Sequence, residues 1–381
     1  MKSFKIEIRQ GQINDLKSRL NNTRWPDEIA NSDWEYGTNS SYLKELCTFW
    51  KDDFSWQTQE KSLNQFDHYK TEGEDINLHF IYQKGKGVKN LPLLLIHGWP
   101  DSFYRFIKLI KLLIEPDANG VAFDVIIPSI PGFGFSDIPA AEGVGPVKIA
   151  SLFNKLMIKT LGYDSFFIHG GDWGSSIATQ MAIQEGKRIK GLHLTNIPPD
   201  LFFAANIAEF GEEEKAYLQT AGKWQRKEGA YVALQSSKPQ TIAYALNDSP
   251  SGLASWIVEK FNSWSDNNGN VENSFSKNEL LTNLSIYWFT QTAGSAARIY
   301  YETVHQKAVE GTIKVDTPTY FSIFPADCIQ IPEAFGRRLY NIKGWEKLSK
   351  GGHFTAMETP DLLANEIRKV FMYNPENKIP V

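Results

Sequence analysis

The chain has 381 residues, a formal net charge of −4 and two cysteines. This charge, without a long basic run, argues against a nucleic-acid partner. Two cysteines give neither a disulfide framework nor a Cys-rich metal site, which favours a reducing compartment. No apolar stretch reaches the roughly 18 residues of a membrane-spanning helix. Charged residues interrupt every apolar run at the start of the chain, whereas a signal peptide has a continuous apolar segment. We expect a soluble, cytoplasmic protein without a membrane anchor; the oligomeric state stays open.

Four segments follow one another along the chain. Residues 1–75 are predicted to be a mainly helical extension, because apolar residues recur at helical spacing. Residues 76–199 alternate strands with helices, which predicts a mostly parallel sheet covered on both faces. Residues 200–315 contain helices and loops, and the strand pattern resumes in 316–381. A helical insertion of this kind is typical of a cap over the carboxyl ends of the strands, where open α/β sheets bind ligands.

The segment around Asp172 carries the strongest chemical signal. An apolar run from Phe166 ends in a Gly-x-Asp-x-Gly pattern, and a helix-compatible stretch follows from Ser175. Strand, sharp turn and helix form the nucleophile elbow of the α/β-hydrolase fold, here with aspartate in place of serine. An aspartate, with a reference pKa of about 3.9, is already an anion at neutral pH. It suits displacement at an sp3 carbon, giving an alkyl-enzyme ester; the alternative is a plain helix N-cap.

A base and an orienting acid are expected after the last strands of the sheet. His353 lies in a Gly-Gly-His-Phe loop after the final strand, and Asp327 follows the preceding strand, 26 residues earlier. The order of nucleophile, acid and base is that of the fold. Glu333 and Asp200 compete for the role of the acid, but Glu333 lies farther from the strand end and Asp200 follows a different strand.

Two backbone N–H groups are predicted to form an oxyanion hole. One belongs to Trp173, directly after the nucleophile, and the other to Trp99 in the His-Gly-Trp-Pro turn. They would stabilise the oxyanion that develops when water, activated by His353, attacks the carbonyl of the Asp172 ester.

These motifs together resemble the microsomal-type epoxide hydrolases, which are α/β hydrolases with a characteristic N-terminal extension. The resemblance rests on the elbow Gly-Gly-Asp-Trp-Gly, the turn His-Gly-Trp-Pro, the loop Gly-Gly-His-Phe and the helical start that contains Thr23-Arg24-Trp25-Pro26. It covers roughly residues 3–375. It implies that an epoxide and water give a vicinal diol, without a metal or an organic cofactor.

The resemblance also implies two cap tyrosines that hydrogen-bond the epoxide oxygen. Tyr231 is the first, although its segment has one extra residue after the glycine and Leu234 where the family has isoleucine. Tyr300, in an Arg-x-Tyr pattern, is the second; Tyr301 follows at once, so a shift of one residue stays open. A phenol with a pKa near 10 can protonate a departing alkoxide without being ionised at neutral pH.

Substrate-binding residues and rival functions are less sharply defined by the sequence. Trp256 and Trp288 in the cap are predicted to line an apolar pocket, with core packing as the alternative; Trp264 and Phe289 are further candidates of the same kind. A haloalkane-type dehalogenase would use the same aspartate, but a departing halide does not require paired tyrosines. A non-catalytic small-molecule binder of the same fold would be free to lose a catalytic member, whereas every role here has a candidate.

Overall fold

A computed structural model describes residues 1–73, 75–203, 205–306 and 314–373 of the chain. Within this part, the strands are β1 (Lys2–Phe4), β2 (His68–Lys70), β3 (His79–Gln83), β4 (Lys89–Ile96), β5 (Val121–Pro128), β6 (Phe166–Gly170), β7 (Ile189–Leu194), β8 (Val315–Ile323) and β9 (Tyr340–Lys347). They form one sheet in the order β1-β2-β3-β5-β4-β6-β7-β8-β9.

The pairing directions divide this sheet into two parts. From β5 through β4 and β6 to β9, every neighbouring pair is parallel. The pairs β1 with β2, β2 with β3, and β3 with β5 are antiparallel. The sheet is therefore mostly parallel, and the predicted α/β-hydrolase fold is confirmed.

The helices surround this sheet and fill the long insertion within it. In chain order they are α1 (Gln10–Asn21), α2 (Ser40–Asp52), α3 (Trp56–Leu63), α4 (Ile107–Ile114), α5 (Pro146–Lys155), α6 (Trp173–Glu185), α7 (Pro199–Phe203), α8 (Glu212–Glu228), α9 (Ala230–Ser237), α10 (Pro239–Asp248), α11 (Pro250–Ser263), α12 (Lys277–Thr290), α13 (Ala293–His305), α14 (Glu333–Leu339), α15 (Thr355–Glu358) and α16 (Pro360–Phe371). A 3₁₀ turn at Phe103–Phe106 precedes α4, and a π turn at Leu156–Thr160 extends α5.

The central strands are apolar on both faces because helices cover them. Helix α4 packs against α16 and β5, and α5 packs against α6, which also contacts β4 and β6. The last four residues of β4, Leu93–Ile96, are completely buried as a result. A strand buried on both faces has a continuous apolar sequence rather than an alternating one.

The N-terminal extension does more than pack as helices. Its strands β1 and β2 add an antiparallel edge to the sheet, which the mainly helical prediction did not include. Each has only three residues, too short to show a strand period in the sequence. Its helices also contact the cap: the Trp50 indole N–H donates to Ser285 Oγ at 3.0 Å, and Arg19 pairs with Asp248 at 2.7 Å.

The cap lies between β7 and β8. The described residues of this insertion form helices α7 to α13, and β8 begins at Val315. In the described part of the chain, no helix has both the length and the apolar character needed to cross a membrane.

Two glycines within helices, Gly174 in α6 and Gly222 in α8, should respond differently to replacement by alanine. A Cβ at Gly174 would clash with the backbone carbonyl of Ile96, whereas a Cβ at Gly222 in α8 would first meet an arginine side chain at 3.7 Å. We expect Gly174→Ala to destabilise the fold by about 1–3 kcal/mol or more, since overpacking against backbone cannot relax easily. Gly222→Ala should instead stabilise it by about 0.5–1 kcal/mol. Urea unfolding of both variants measures the contrast, and equal stabilities would contradict it.

Candidate active site

The backbone at Asp172 is bent into a conformation that side chains rarely adopt. Its φ is 55° and its ψ is −129°, between the end of β6 and the start of α6. A non-glycine residue with positive φ is strained and persists only where its surroundings hold it in place. Here the Asp172 N–H donates to Asn196 Oδ1 at 2.8 Å. The turn also needs Gly98 and Gly170, because a Cβ at either would clash with this turn. This is the geometry of a nucleophile elbow.

The Asp172 carboxylate accepts hydrogen bonds from backbone groups. The Trp99 N–H donates to Asp172 Oδ1 at 2.8 Å, and the Trp173 N–H also stabilises the ionised carboxylate. These are the two N–H groups that the sequence predicted for an oxyanion hole. Oδ1 is thus held by Trp99, whereas Oδ2 lies 3.6 Å from His353 Nε2.

An imidazole and a second carboxylate lie beside Asp172. His353 Nε2 is 3.6 Å from Asp172 Oδ2, and His353 Nδ1 is 2.7 Å from Asp327 Oδ1. A carboxylate on Nδ1 leaves Nε2 facing the reacting group and fixes the orientation of the ring. The predicted base, His353, therefore lies between the predicted nucleophile, Asp172, and the predicted acid, Asp327, and contacts both.

The two competing acids lie elsewhere. Glu333 forms an ion pair with Arg337 on α14, and Asp200 accepts a hydrogen bond from Ser176 Oγ at 3.1 Å. Each carboxylate thus has a local partner, and Asp327 is the one that contacts His353.

Burial and neighbouring charges shift both reacting groups. Burial raises the pKa of the Asp172 carboxyl above its ordinary value, while the His353 charge and the N–H groups of Trp99 and Trp173 limit the rise. Burial by itself would lower the pKa of His353, but Asp327 and Cys328 raise that pKa well above its ordinary value. The site therefore combines a poorly solvated carboxylate with a strongly basic imidazole.

The two predicted tyrosines meet above the elbow. The Tyr231 ring stacks on Trp99 with centroids 5.0 Å apart, and the Tyr300 ring contacts Trp173 edge-on at 4.8 Å. The two phenol rings are 5.8 Å apart. Burial raises the pKa of both phenols well above 10, and the Asp172 charge adds to the rise. Both hydroxyls are therefore proton donors at neutral pH.

The two neighbouring tyrosines of α13 lie in different surroundings. Tyr300 is 6% exposed and contacts Trp99, Trp173 and Tyr231. Tyr301 is 37% exposed and stacks on His305, with ring centroids 3.9 Å apart. Successive residues of a helix point in different directions, so only one of the two can face Asp172.

The two tryptophans predicted to bind substrate occupy different places. Trp256 donates its indole N–H to Gln235 on α9 at 3.4 Å, which puts it near the Tyr231 helix. The Trp288 ring lies against the Arg19 guanidinium, 5.8 Å away, at the contact between α12 and α1. Helix α12 is buried from Leu280 to Phe289, so its sequence does not indicate which side faces a ligand.

Trp264, another cap aromatic that could line the pocket, also joins the cap to the loop that carries His353. Its backbone carbonyl accepts a hydrogen bond from the backbone N–H of His353 at 2.8 Å. Its ring centroid lies 5.3 Å from that of the imidazole and 5.2 Å from that of Tyr231. It is one of eleven tryptophans in the chain. Nothing in the local sequence distinguishes it from those that only pack in the core.

A buried ion pair and a partly buried carboxylate contact the site, although no sequence pattern indicated them. Asp101 accepts the Gly98 N–H at 3.1 Å and pairs with Arg105, which donates to the His353 carbonyl at 2.9 Å. Glu358 accepts the N–H groups of Phe354 and of Asp266 in the cap, both at 2.8 Å. Burial raises the pKa of Glu358 to about 7.

One group of side chains has the composition of a metal site. Among the described residues, ligand atoms of Asp327, Cys328 and His353 lie within 4.8 Å of one another. However, Asp327 already occupies His353 Nδ1, and burial raises the pKa of the Cys328 thiol to about 11, which disfavours the thiolate that metals bind. The arrangement suits proton transfer better than metal binding.

The fold and the site together define an enzyme of the α/β-hydrolase class with an aspartate at its elbow. Family models agree: residues 1–106 match the epoxide hydrolase N terminus, and residues 92–275 match the alpha/beta hydrolase fold. Epoxide hydrolase 1 of Sus scrofa is 38% identical over 403 residues, covering 97% of this chain and 88% of its own length. Juvenile hormone epoxide hydrolase 1 of Ctenocephalides felis is 33% identical and covers 96% and 84%.

Solved structures give the same result. The crystal structure of the juvenile hormone epoxide hydrolase of Bombyx mori matches with a TM-score of 0.84 and 29% identity, covering 97% of this chain and 92% of that one. The Aspergillus niger epoxide hydrolase matches with a TM-score of 0.80 and 26% identity, covering 96% and 94%. The chain belongs to the epoxide hydrolase family.

The two pKa directions predict a loss of activity on the acid side. A raised pKa keeps the Asp172 carboxyl protonated, and so unreactive, up to a higher pH than for an exposed aspartate. A raised pKa likewise keeps His353 protonated, and so unable to accept a proton, up to a higher pH than for an ordinary histidine. We expect epoxide turnover to fall as the pH drops below the raised pKa of either group and to persist at higher pH. The pH profile of kcat measures this.

Asp327→Asn tests the cause of the His353 shift. Removing the negative charge lowers the pKa of His353, so the acid limb assigned to it should move to lower pH, at a reduced maximum rate. The pH profile of kcat measures the movement. Glu333→Gln, which changes an acid paired elsewhere, is the control and should leave the limb in place. An Asp327→Asn limb that stays fixed would contradict the assignment.

Proposed function

We propose that the chain hydrolyses an epoxide to a vicinal diol through a covalent ester of Asp172. The observation that carries the proposal is the placement of one carboxylate between two partners. Asp172 Oδ1 accepts the Trp99 N–H, while Oδ2 lies 3.6 Å from His353 Nε2. One oxygen is thus positioned to become the ester carbonyl oxygen, and the other to attack carbon and form the ester bond.

The first half-reaction opens the ring. Oδ2 of Asp172 bonds to an epoxide carbon, the C–O bond breaks, and its electron pair moves to the epoxide oxygen. Tyr231 and Tyr300 are positioned as hydrogen-bond donors to that oxygen, and one of them gives it a proton. An alkoxide is a poor leaving group, so a proton donor is needed in this step.

The second half-reaction frees the enzyme. Water gives a proton to His353 Nε2 and attacks the carbonyl carbon of the ester, while Asp327 stabilises the imidazolium through Nδ1. The oxyanion develops at Oδ1, where the N–H groups of Trp99 and Trp173 stabilise it. Collapse breaks the bond between the carboxyl carbon and Oδ2, and the departing alkoxide takes the proton from His353 to complete the diol. The second proton of the water, left on the new carboxyl group, returns to the phenolate that ring opening produced, which re-forms the carboxylate and the phenol.

His353→Gln should separate the two half-reactions. Without a base the ester forms but is not hydrolysed, because the carboxylate attacks without needing to lose a proton. After incubation with styrene oxide, mass spectrometry of proteolytic peptides should find an adduct of the substrate's mass on the peptide that contains Asp172. Asp172→Asn in the same background is the control and should remain unmodified. An adduct on another residue would refute the nucleophile assignment.

Replacing either cap tyrosine by phenylalanine should slow ester formation. The expected loss is on the order of tenfold or more, since a single general-acid contact contributes about 10² to 10⁴. Single-turnover kinetics of Tyr231→Phe and Tyr300→Phe measure it. Tyr301→Phe removes an exposed hydroxyl one residue away and should change nothing. Wild-type rates in both site variants would remove the tyrosines from the mechanism.

The same tyrosines separate this proposal from dehalogenation. Halide leaves without protonation, so a dehalogenase gains little from two phenols facing the carboxylate. Incubation with styrene oxide should yield diol, and incubation with bromoalkanes should release no bromide. The reverse outcome would support the dehalogenase alternative.

A further inference from the structure

A buried lysine lies against two of the aromatic rings of the site. Lys260, on α11, is 7% exposed. Its Nζ lies 5.2 Å from the ring centroid of Tyr231 and 5.6 Å from that of Trp264. An ammonium within about 6 Å of an aromatic centroid is attracted by the negative face of the ring. A buried lysine is rare unless its charge is paired or used.

Two carboxylates in the cap balance the charge of Lys260. Glu259 forms an ion pair with its ammonium, and the positive charge of Lys260 also acts on Glu228 at the end of α8. Burial and the Glu259 charge raise the pKa of Glu228, while Lys260 opposes the rise. These partners explain how the ammonium tolerates burial. Even in this ion pair, the ammonium stays over the ring of Tyr231.

The surroundings of Tyr231 oppose the loss of its proton. Burial raises the pKa of its phenol, and the negative charges of Asp172 and Glu228 raise it further. When the phenol gives its proton to the epoxide oxygen, negative charge develops on its own oxygen and spreads into the ring. A cation near the ring stabilises that charged ring more than the neutral phenol, because the attraction grows with the negative charge.

We propose that Lys260 is a positioning residue for ring opening, which acts through Tyr231 to ease proton donation to the epoxide oxygen. This inference rests on the proposed function. In the step itself, the O–H bond of Tyr231 breaks and its proton moves to the epoxide oxygen as Asp172 bonds to carbon. Lys260 keeps all its protons and does not contact the substrate.

The effect should be confined to the first half-reaction. Ester hydrolysis depends on His353 and on the N–H groups at Asp172, and it requires no proton from Tyr231. A merely structural lysine would behave differently. Lys260 also lies over Trp264, whose carbonyl holds the His353 N–H, so general loosening of the cap would slow hydrolysis as well.

Lys260→Met tests the proposal, because methionine keeps the length and apolar character of the side chain and removes the charge. Quenched single-turnover reactions with styrene oxide measure ester formation by protein mass and ester hydrolysis by diol release. We expect ester formation to slow by on the order of 2- to 30-fold, the range of a desolvated cation–π contact, and hydrolysis to be unchanged. Lys260→Arg, which keeps the cation, should recover most of the rate.

Two further variants give the result its meaning. In a Tyr231→Phe background, Lys260→Met should cause no further slowing, since the group through which it acts is gone. Lys277→Met is the matched control: this cap lysine is partly buried and also pairs with carboxylates, Glu45 and Glu272, but it lies on another helix, α12. It should leave both half-reactions unchanged. If Lys260→Met does not fold, Lys260→Gln takes its place with the same expectation.

Three results would overturn the inference. They are wild-type ester formation in Lys260→Met, equal slowing of both half-reactions, and undiminished slowing in the Tyr231→Phe background. A failure of the proposed function is distinguishable from these. It would appear as the absence of an Asp172 adduct in His353→Gln, whatever residue occupies position 260.

Discussion

The site depends on the close approach of two backbone turns around one carboxylate. Asp172 has a φ of 55°, and the turn that contains Gly98 and Trp99 reaches it from β4. Neither turn has room for another carbon at its glycines, so the Trp99 N–H can come within 2.8 Å of Oδ1. Because rigid backbone supplies the donor, no reorganisation is needed when charge develops there. The strain at Asp172 is sustained by the buried sheet beneath it.

His353 is held by the cap as well as by the hydrolase core. The His353 N–H donates to the Trp264 carbonyl, the Gly351 N–H donates to Asp266 Oδ2, and the Asp266 N–H donates to Glu358. Three hydrogen bonds thus cross between one short cap segment and the loop of the base. The cap consequently contributes more than a cover over the site. It supplies the tyrosines, fixes the loop that carries the imidazole and, in our proposal, brings a cation to Tyr231.

Some of the predicted site residues lie in recognisable local sequence patterns. The elbow around Asp172 and the loop around His353 have such patterns, and the structure places these two side chains 3.6 Å apart. Composition alone does not separate His353 from the other six histidines. His68 with His79, and His169 with His193, form buried pairs between strands, and burial lowers the pKa of each. Its position after the last strand, rather than its residue type, is what made His353 the predicted base.

The sequence by itself determined the α/β-hydrolase fold, and it predicted the elbow and the order of nucleophile, acid and base, because each follows from spacing along the chain. Only the tertiary structure put Tyr300 rather than Tyr301 against Trp173, set Trp288 against Arg19, and brought Trp264, Glu358 and Lys260 to the site. These residues lie on helices buried on several sides or on loops without a repeat. Their roles depend on which face meets which neighbour, and helix packing sets that face through contacts between residues far apart in the chain.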